Sequence, residues 1–405
     1  MKSVCVFSHK SFVPPTSGHN ITLYNRFVEL VEEGYTLDFY IFGQENASFN
    51  YDGIDVHTCP LSKLVRLLLF NKFFVLTMRR ARSVEAHLVL SSLDPKLASS
   101  AREKIKACDL VLVEHIWSSP FPILYARLFK KPLVLMDHNA ETVLSRRFLK
   151  EARHMAKFVL FLRFAYTFLL EKLSCMMASL VIVSSENDKA LLNGSLRVPV
   201  EKTKVIPPSI DTSMMKNDEV LGLKLRDKLG ISERALVICF LGDLTTVPNY
   251  MAAKHIAEDI APKVLRRLAE AYFLIIGKHD EPLALPEDNR VIFTGEVSDL
   301  TPFLSAADIC IVPLTLGSGV KLKLLTYLSF GKPIVSTPTG IEGINAKRGV
   351  IVCELRSFET EILKLASDRE LRLKLGSIGR RLAEEVYDKH SVAKRLASIL
   401  SEVVS

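Results

Sequence analysis

The sequence predicts an α/β protein built from two doubly wound, Rossmann-like domains, each with a parallel sheet. Short apolar runs alternate with helical stretches along the chain, which is typical of strands buried in a parallel sheet. The same alternation begins again in the second half. A length of 405 residues also fits two domains that each bury a core. Ligands of such sheets bind beyond the carboxyl ends of the strands, so we expect the two domains to face a central crevice.

The first half begins with a predicted strand at residues 4–8 and a loop that carries Gly18. A helix is predicted over residues 21–31, where apolar residues recur at helical spacing, and the chain returns as a strand at 36–42. Further buried strands are predicted at residues 110–114, 133–137 and 180–184.

The second half repeats this scheme after a proline-containing connection at residues 204–211. We therefore predict one domain at residues 1–205 and another at 206–385. Apolar residues at helical spacing predict an amphipathic helix over residues 391–404. The predicted strands of this half are residues 236–241, 272–276, 290–294, 309–313 and 333–336.

The net charge of +8 is confined to the first half. Residues 1–205 hold 27 Lys and Arg against 19 Asp and Glu, whereas residues 206–405 hold 26 of each. This asymmetry favours an anionic partner: a membrane surface, a phosphorylated acceptor or nucleic acid. A proteome that generally favours Lys and Arg is the alternative explanation.

Cysteine usage and the most apolar segments bear on the compartment. The seven cysteines are scattered singly, which argues against a disulfide framework and a zinc ribbon and favours a reducing compartment. The N-terminus is typical of a buried strand rather than a secretory signal. The apolar stretch at residues 158–170 is interrupted by Arg163 and is too short to span a bilayer. We expect a cytoplasmic protein that is not integral to the membrane.

A glycine-rich loop between a strand and a helix is the most informative segment. The loop follows the strand at 309–313, and Lys321 and Lys323 then fall in the predicted first turn of the helix. The helix dipole disfavours cations at that end, so their placement indicates an anion bound by backbone N–H groups and neutralised by the lysines. A diphosphate is the obvious candidate. Two lysines that point into solvent are the alternative.

Basic stretches in the first half fit a membrane or acceptor role. Residues 61–82 carry six cations and no acid, Lys63 and Arg66 among them. Further along, cations recur at spacings of 4, 3 and 4, on one face of a predicted helix with aromatic residues after it: Arg146, Lys150, Arg153 and Lys157. A basic helix with an apolar flank indicates a membrane-surface element. The alternative is a domain helix with an apolar core face and solvated cations. Nucleic acid is disfavoured, because no recognised binding module accompanies the charge.

One histidine is a candidate for chemistry. His138 follows the strand at 133–137, which favours a position in the crevice over one in the core. His115, which follows the strand at 110–114, competes for that role. Asp137 and Glu141 are candidates to orient His138, or they are carboxylates at a helix start.

The ordered motifs resemble glycosyltransferase family 4, of the two-domain GT-B fold. The strongest is GSGVKLKLL at residues 317–325, followed by GKPIVST at 331–337 and GIEG at 340–343. Earlier motifs fall in the family's order over essentially the whole chain: SG at 17–18, DHNAE at 137–141, VIVSSE at 181–186, VIPPSID at 205–211, FLGDL at 240–244, FTGEVSD at 293–299 and AAD at 306–308.

The resemblance implies transfer of a hexose from a nucleotide-sugar donor, with retention at the anomeric carbon and without a metal or other cofactor. By position, Gly18 lets the first loop approach the donor diphosphate, His138 lies near the reacting sugar, and Val297 holds the base. The final segment, 386–405, returns to the first domain. Thr326 is at the position that contacts the ribose. The residues assigned to the sugar and the phosphates are Gly317, Ser318, Gly319, Val320, Lys321 and Lys323.

The chain departs from the family pattern at several of these positions. Ser318 and Thr326 stand where the family usually has two glutamates, and Asp243 and Asn249 replace an Arg and a Lys. We expect a transferase that acts on a lipid-linked or polysaccharide acceptor at the cytoplasmic membrane face, peripheral to the membrane. Alternatives are a non-catalytic relative that binds a nucleotide, glycan or membrane partner, and a GT-B nucleotide-sugar epimerase.

Overall fold

Two units make up the chain, and a parallel sheet forms the centre of each. The computed structural model describes residues 2–9, 11–14, 18–42, 47–59, 95–138, 140–151, 154–279, 285–286, 288–317, 319–346 and 348–404. The first unit comprises Met1–Ser209 and Lys389–Ser405, and the second comprises Ile210–Asp388. These boundaries lie four and three residues beyond the predicted ones at 205 and 385.

The described part of the first unit has one eight-stranded sheet in the order β3-β4-β2-β1-β5-β6-β7-β8. Its strands are β1 (Lys2–Ser8), β2 (Tyr35–Phe42), β3 (Ala47–Tyr51), β4 (Ile54–Cys59), β5 (Leu110–Glu114), β6 (Leu133–Asp137), β7 (Leu180–Val183) and β8 (Thr203–Val205). Neighbours pair in parallel except β3 and β4, which form an antiparallel hairpin at the edge. Alternate residues point to opposite faces, so Val4 and Val6 pack in one core cluster and Cys5 and Phe7 in another.

Helices cover both faces of this sheet. They are α1 (Gly18–Glu32), α2 (Pro95–Ala107), α3 (Pro120–Leu128), α4 (Glu141–Glu151), α5 (His154–Met177) and α6 (Glu186–Leu196), with 3₁₀ turns at Ile116–Ser118 and Val200–Lys202. None of the described helices has the length and continuous apolarity that crossing a bilayer requires.

The second unit holds a six-stranded parallel sheet in the order β11-β10-β9-β12-β13-β14. Its strands are β9 (Leu236–Leu241), β10 (Ala271–Ile276), β11 (Val291–Gly295), β12 (Ile309–Val312), β13 (Ile334–Ser336) and β14 (Val350–Val352). Its helices are α7 (Glu219–Lys228), α8 (Val247–His255), α9 (Ala261–Arg267), α10 (Thr301–Ala306), α11 (Leu322–Ser329), α12 (Phe358–Ser367) and α13 (Arg369–Leu382), with π-helical stretches at Ile256–Ile260 and Ala383–Tyr387 and a 3₁₀ turn at Leu355–Ser357.

The last helix, α14 (Lys389–Val404), belongs to the first unit. Leu396 and Leu400 are fully buried in the core cluster beside α1 and β1. The Tyr35 hydroxyl donates to the Ala397 carbonyl at 2.9 Å, and Lys389 Nζ lies 3.0 Å from the buried Glu29 carboxylate. An apolar face and two polar contacts therefore hold the C-terminal segment on this unit.

The predicted basic helix is wrong as a single element. Helix α4 ends at Glu151 and α5 begins at His154. The Glu171 carboxylate, late in α5, accepts the backbone N–H groups of Glu141 and Thr142 at the start of α4, at 2.8 Å each. The two helices therefore run back along each other. Arg146 and Lys150 lie on α4 and Lys157 lies on α5, so these three cations do not share one helix face.

Candidate active-site residues in the two units

Three histidines lie at the carboxyl edge of the first unit's sheet. His9, His115 and His138 each follow the last residue of one of three neighbouring strands, β1, β5 and β6. The ring centroids of His9 and His115 are 5.3 Å apart, and those of His115 and His138 are 6.3 Å apart. Sequence reasoning found the second and third histidines and missed His9, although it shares their position directly after a strand.

A buried glutamate joins His138 to an arginine. Arg26 Nη1 donates to Glu114 Oε1 at 3.0 Å, and His138 Nε2 donates to Glu114 Oε2. The Arg26 and Glu114 side chains are 0% and 2% exposed, so the guanidinium supplies the counter-charge of a buried carboxylate. Because an ionised carboxylate can only accept, this contact assigns the proton of a neutral His138 ring to Nε2. Glu114 therefore sets the orientation and the tautomer of the ring.

His138 is uncharged at neutral pH. Burial lowers its pKa below the ordinary value of 6.5, although Glu114 acts to raise it. The positive charge of Arg26 and the neighbouring His115 lower the pKa further. A neutral imidazole accepts a hydrogen bond through its second nitrogen, so this ring can contact a sugar hydroxyl as an acceptor.

Of the two alternatives for Asp137 and Glu141, the structure supports a carboxylate at a helix start for Glu141, which is the first residue of α4. Glu141 Oε1 lies 3.2 Å from Nε2 of His115. Asp137 is completely buried, and burial followed by the nearby carboxylate of Glu171 raises its pKa well above the usual range. Successive residues of a strand point to opposite faces, which separates the Asp137 side chain from that of His138.

His115 combines backbone strain with a buried polar atom. Its φ is 76°, a region that non-glycine residues rarely occupy. The residue is 8% exposed, and its Nδ1 has no hydrogen-bond partner within the described residues. Its ring stacks on Trp117, with centroids 5.9 Å apart. Such strain is concentrated at functional sites, and an aromatic face beside polar nitrogens is suited to a sugar ring.

In the second unit, two lysines meet at the start of α11. The helix begins at Leu322, so Lys323 lies in its first turn and Lys321 is the residue before it. Lys321 Nζ donates to the Gly319 carbonyl at 2.6 Å, and Lys323 Nζ donates to Asn249 Oδ1 at 2.6 Å. Both side chains are partly buried and bonded to the protein. This differs from the alternative in which they point into solvent.

The Lys323 amine is largely removed from water. It lies 4.3 Å from the centroid of the Phe240 ring. Burial, and to a smaller extent the charge of Lys321, lowers the pKa of Lys323 to about 7. On sequence grounds both lysines were treated as full cations, whereas a pKa of about 7 leaves Lys323 close to half-protonated at neutral pH.

Two glycines make room for this arrangement. A Cβ on Gly242, directly after β9, would lie 2.9 Å from Lys323 Nζ and 2.8 Å from Asn249 Cγ. A Cβ on Gly277, directly after β10, would lie 2.1 Å from the Gly242 carbonyl oxygen. The first glycine belongs to a motif quoted above, and the second was missed because nothing in its own segment marked it.

Asn249 explains one departure from the family pattern. Its Nδ2 donates to the Asp243 carbonyl at 2.9 Å, which turns its Oδ1 towards Lys323. The amine of Lys323 therefore lies beside Asn249, the position at which the family has a lysine. The Asp243 carboxylate accepts from the Thr245 hydroxyl at 2.6 Å and stabilises the local turn.

The remaining predicted donor-site residues lie around this loop or near other strand ends. Gly317 and Gly319 have φ angles of 126° and 69°, so the loop needs glycine at both positions. Val320 and Val297 are partly buried against the core of the second unit. Ser318 lies outside the described residues.

Thr326 and Gly18 occupy helices. Thr326 is 7% exposed, and its hydroxyl donates to the Leu322 carbonyl one turn earlier at 3.2 Å. Gly18 is the first residue of α1.

The predicted membrane and acceptor residues are only partly described. Arg146 on α4 and Lys157 on α5 are exposed, and Lys150 is on α4. Lys63, Arg66 and Arg153 lie outside the described residues.

A metal or other cofactor was not expected, and this stays a prediction. Within the described residues, one group of potential ligands comes together: Glu29, Glu32 and His390. Glu29 already pairs with Lys389 at 3.0 Å and with His390 at 2.5 Å, which accounts for its charge without an ion.

Comparison with family models matches both halves of the chain. Residues 16–214 match the model described as "Glycosyltransferase Family 4", and residues 235–368 match the one described as "Glycosyl transferases group 1". No curated protein sequence matches the chain.

Solved structures share the fold over nearly the full length. HepE from Anabaena in complex with UDP is 16% identical, with 99% of this chain and 100% of that chain covered and a TM-score of 0.69. Sucrose-phosphate synthase from Thermosynechococcus elongatus is 14% identical, with 100% and 99% covered and a TM-score of 0.71. WaaG, a glycosyltransferase involved in lipopolysaccharide biosynthesis, is 15% identical, with 99% and 100% covered and a TM-score of 0.63. On the two family matches in order and this shared fold of two parallel-sheet units, the chain belongs to glycosyltransferase family 4, of the GT-B fold.

Proposed function

We propose that this protein is a retaining glycosyltransferase that moves a hexose from a nucleotide-sugar donor to a lipid-linked or polysaccharide acceptor at the cytoplasmic membrane face. The observation that carries the proposal is the cradle at the start of α11, where Lys321 and Lys323 meet a glycine-rich loop. Family membership supports transfer, and HepE, solved with UDP and with UDP-glucose, makes a uridine diphosphate sugar the first donor to test.

The cradle is suited to a departing diphosphate. Amides in the first turn of a helix lack intrahelical partners and point along the axis, so they can bind phosphate oxygens. A nearby dianion favours the charged form of an amine. Donor binding should therefore raise the pKa of Lys323 and complete its protonation. The positive charge is then largest when the sugar–phosphate bond breaks, which stabilises the leaving group and the oxocarbenium-like transition state.

In the first unit, His138 is the proposed contact to the transferred sugar. Its orientation and tautomer are set by Glu114, and its neutral ring can accept from a hydroxyl. We assign no covalent nucleophile, metal or other cofactor to the reaction. The proposed role of His138 is to position the sugar rather than to form a bond with it.

Calorimetric titration with UDP, GDP and ADP tests the donor site. We expect one diphosphate to bind in the micromolar range, and the Lys321→Ala, Lys323→Ala double variant to lose about 100-fold or more in affinity, because charge-assisted hydrogen bonds to phosphate contribute about 1.5–3 kcal/mol each. Lys364→Ala, which removes a lysine that is 60% exposed on α12, is the matched control. Binding that is unchanged in the double variant would contradict the assignment.

A relative that binds without catalysing and a nucleotide-sugar epimerase are the alternative functions, and two observations support the first. Thr326 donates within its own helix and Asp243 replaces an arginine, which favours a relative that binds without catalysing. Such a protein would bind a nucleotide, glycan or membrane and transfer nothing. An epimerase would convert the donor without an acceptor, so product analysis with the acceptor omitted separates it from a transferase.

A further inference from the structure

Helix α5 turns an apolar face outward along nearly its whole length. The large apolar side chains of this face are between 38% and 69% exposed: Phe158, Phe161, Leu162, Tyr166, Leu169, Leu173 and Met176. Their spacing of one, three or four residues places them on one side of the helix. Single exposed apolar residues are ordinary, but a continuous patch of this kind indicates a partner.

The inward face of the same helix is buried and carries polar as well as apolar side chains. Glu171, completely buried, accepts the first backbone N–H groups of α4. Ser174 Oγ lies 2.7 Å from the Ser119 hydroxyl and is also buried. Cys175 also belongs to a core cluster of the first unit, and Phe168 and Leu170 pack against that cluster. The buried side therefore fixes the helix to the unit, and a second apolar side faces outward.

Helix α3 extends this face. Leu124 and Leu128 are 62% and 64% exposed. Between them in sequence, Arg127 Nη2 donates to the Met177 carbonyl at the end of α5, at 3.1 Å. The outward apolar residues of α5, together with Leu124 and Leu128, are called the apolar face below.

Basic side chains lie at the end of the apolar face. Arg127, Lys130 and Lys131 line a cleft of about 600 Å³, and none of its lining residues, all of which are described, is acidic. Lys202 Nζ donates to the Met176 carbonyl at 2.6 Å. Burial, and then the charge of Arg127, lowers the pKa of Lys202. Four cations without a neighbouring lining carboxylate are complementary to an anion such as a lipid phosphate.

An aromatic line joins the apolar face to the histidines. Tyr166, on the apolar face, stacks on Trp117 with ring centroids 6.5 Å apart. Trp117 stacks on His115 at 5.9 Å. A molecule held at the apolar face thus lies beside residues that lead to the proposed sugar contact.

We infer that the apolar face docks on an anionic lipid bilayer, with Arg127, Lys130 and Lys131 at the headgroup phosphates. Apolar side chains would enter the interface between headgroups and acyl chains, as in other in-plane helices. The inference rests on the proposed function, which places the protein at a membrane face, and it names the surface that would bind there.

Vesicle co-sedimentation tests the inference. The probes are vesicles of phosphatidylcholine mixed with phosphatidylglycerol, and vesicles of phosphatidylcholine alone. We expect the full-length protein to bind the anionic vesicles, more weakly as salt is raised. Leu162→Ser with Leu169→Ser should weaken binding about 100-fold, because each buried leucine contributes about a factor of ten. Lys130→Glu with Lys131→Glu should weaken it about 30-fold.

Matched controls and contrary outcomes are available in the same chain. Leu373→Ser removes a leucine that is 61% exposed on α13 of the second unit and should leave vesicle binding unchanged. No binding of anionic vesicles by the wild-type protein, or equal binding by the double-serine variant, overturns the inference. Light scattering tests whether the face instead joins two copies of the chain. A wild-type dimer that becomes a monomer in the double-serine variant, together with no vesicle binding, would also overturn the inference. UDP titration without vesicles reports separately on the proposed transferase.

Discussion

At the scale of the residue, Glu114 is the group on which the first unit's candidate site depends. One carboxylate oxygen contacts Arg26 at 3.0 Å and the other accepts from His138. A glutamine has a single carbonyl oxygen, so it could serve only one of these partners.

We expect Glu114→Gln to lower kcat about 100-fold, which is the lower end of the effect of removing a group that acts on the substrate through a side chain at the site. Because Glu114 acts to raise the pKa of His138, its removal should also shift the acid limb of kcat/KM to lower pH. Steady-state kinetics across pH measure both effects.

Glu141→Gln is the matched comparison, since Glu141 holds His115 in the same way at 3.2 Å. If the acid limb of kcat/KM moves in the Glu141 variant but not in the Glu114 variant, the positioning pair is Glu141 and His115 instead of Glu114 and His138.

Lys323 gives the second residue-scale prediction, which concerns stability. Its pKa is about 7 in the folded state and 10.5 when unperturbed, so between these values the unfolded chain binds one more proton. Stability therefore rises with pH over this window. We expect Lys323→Met to remove about 1–2 kcal/mol of the increase in unfolding free energy between pH 7 and pH 9.

Urea denaturation followed by circular dichroism at the two pH values measures this difference. Lys364→Met, at an exposed lysine, is the control. A variant whose pH dependence equals that of the wild type would show that the Lys323 amine stays charged in the folded protein.

The sequence located residues better than it located their contacts. His138 was found because a histidine directly after a buried strand must lie at the carboxyl edge of the sheet. Its partner was assigned to residues adjacent in sequence, whereas Glu114 ends the neighbouring strand, 24 positions away. Strand order decides that contact, and no local pattern encodes it.

At the scale of the element, apolar strands were predictable, whereas the exposed hairpin at the edge of the first sheet was not. Strands β5, β6 and β9 have the predicted bounds because each is a continuous apolar run in the middle of a sheet. The hairpin of β3 and β4 was missed, since most of β3 is exposed and carries no such run. Its Asp52–Gly53 turn was the available signal.

The division of α4 from α5 shows a different limit. Charge spacing across residues 146–157 indicated one helix, but Glu171 caps a helix that starts at Glu141 and lies alongside α5. A cap supplied from 30 residues away is a tertiary contact. The apolar residues of α5 were expected in a core or at a membrane, and only the packed structure shows which of them face outward.

Helix α14 gives the element-scale prediction. Leu396 is completely buried in the core of the first unit. We expect Leu396→Ala to lower the unfolding free energy by about 2–5 kcal/mol, since it leaves a cavity under the helix. Ser398→Ala, at an exposed position of the same helix, is the control, and calorimetry is the measurement. Equal melting temperatures for the two variants would mean that the C-terminal helix does not stabilise the first unit.

At the scale of the whole molecule, two units with parallel sheets and a glycine-rich loop between a strand and a helix were determined by the sequence itself. Alternating apolar runs, a strand–glycine–helix segment and ordered family motifs are local, and each carries its own physical cause. Tertiary structure alone decided that Lys323 contacts Asn249 across 74 positions, that Glu114 orients His138, and that α5 turns its apolar side outward. These features depend on which elements lie side by side, because desolvation, pairing and exposure are properties of neighbours in space and not of neighbours in sequence.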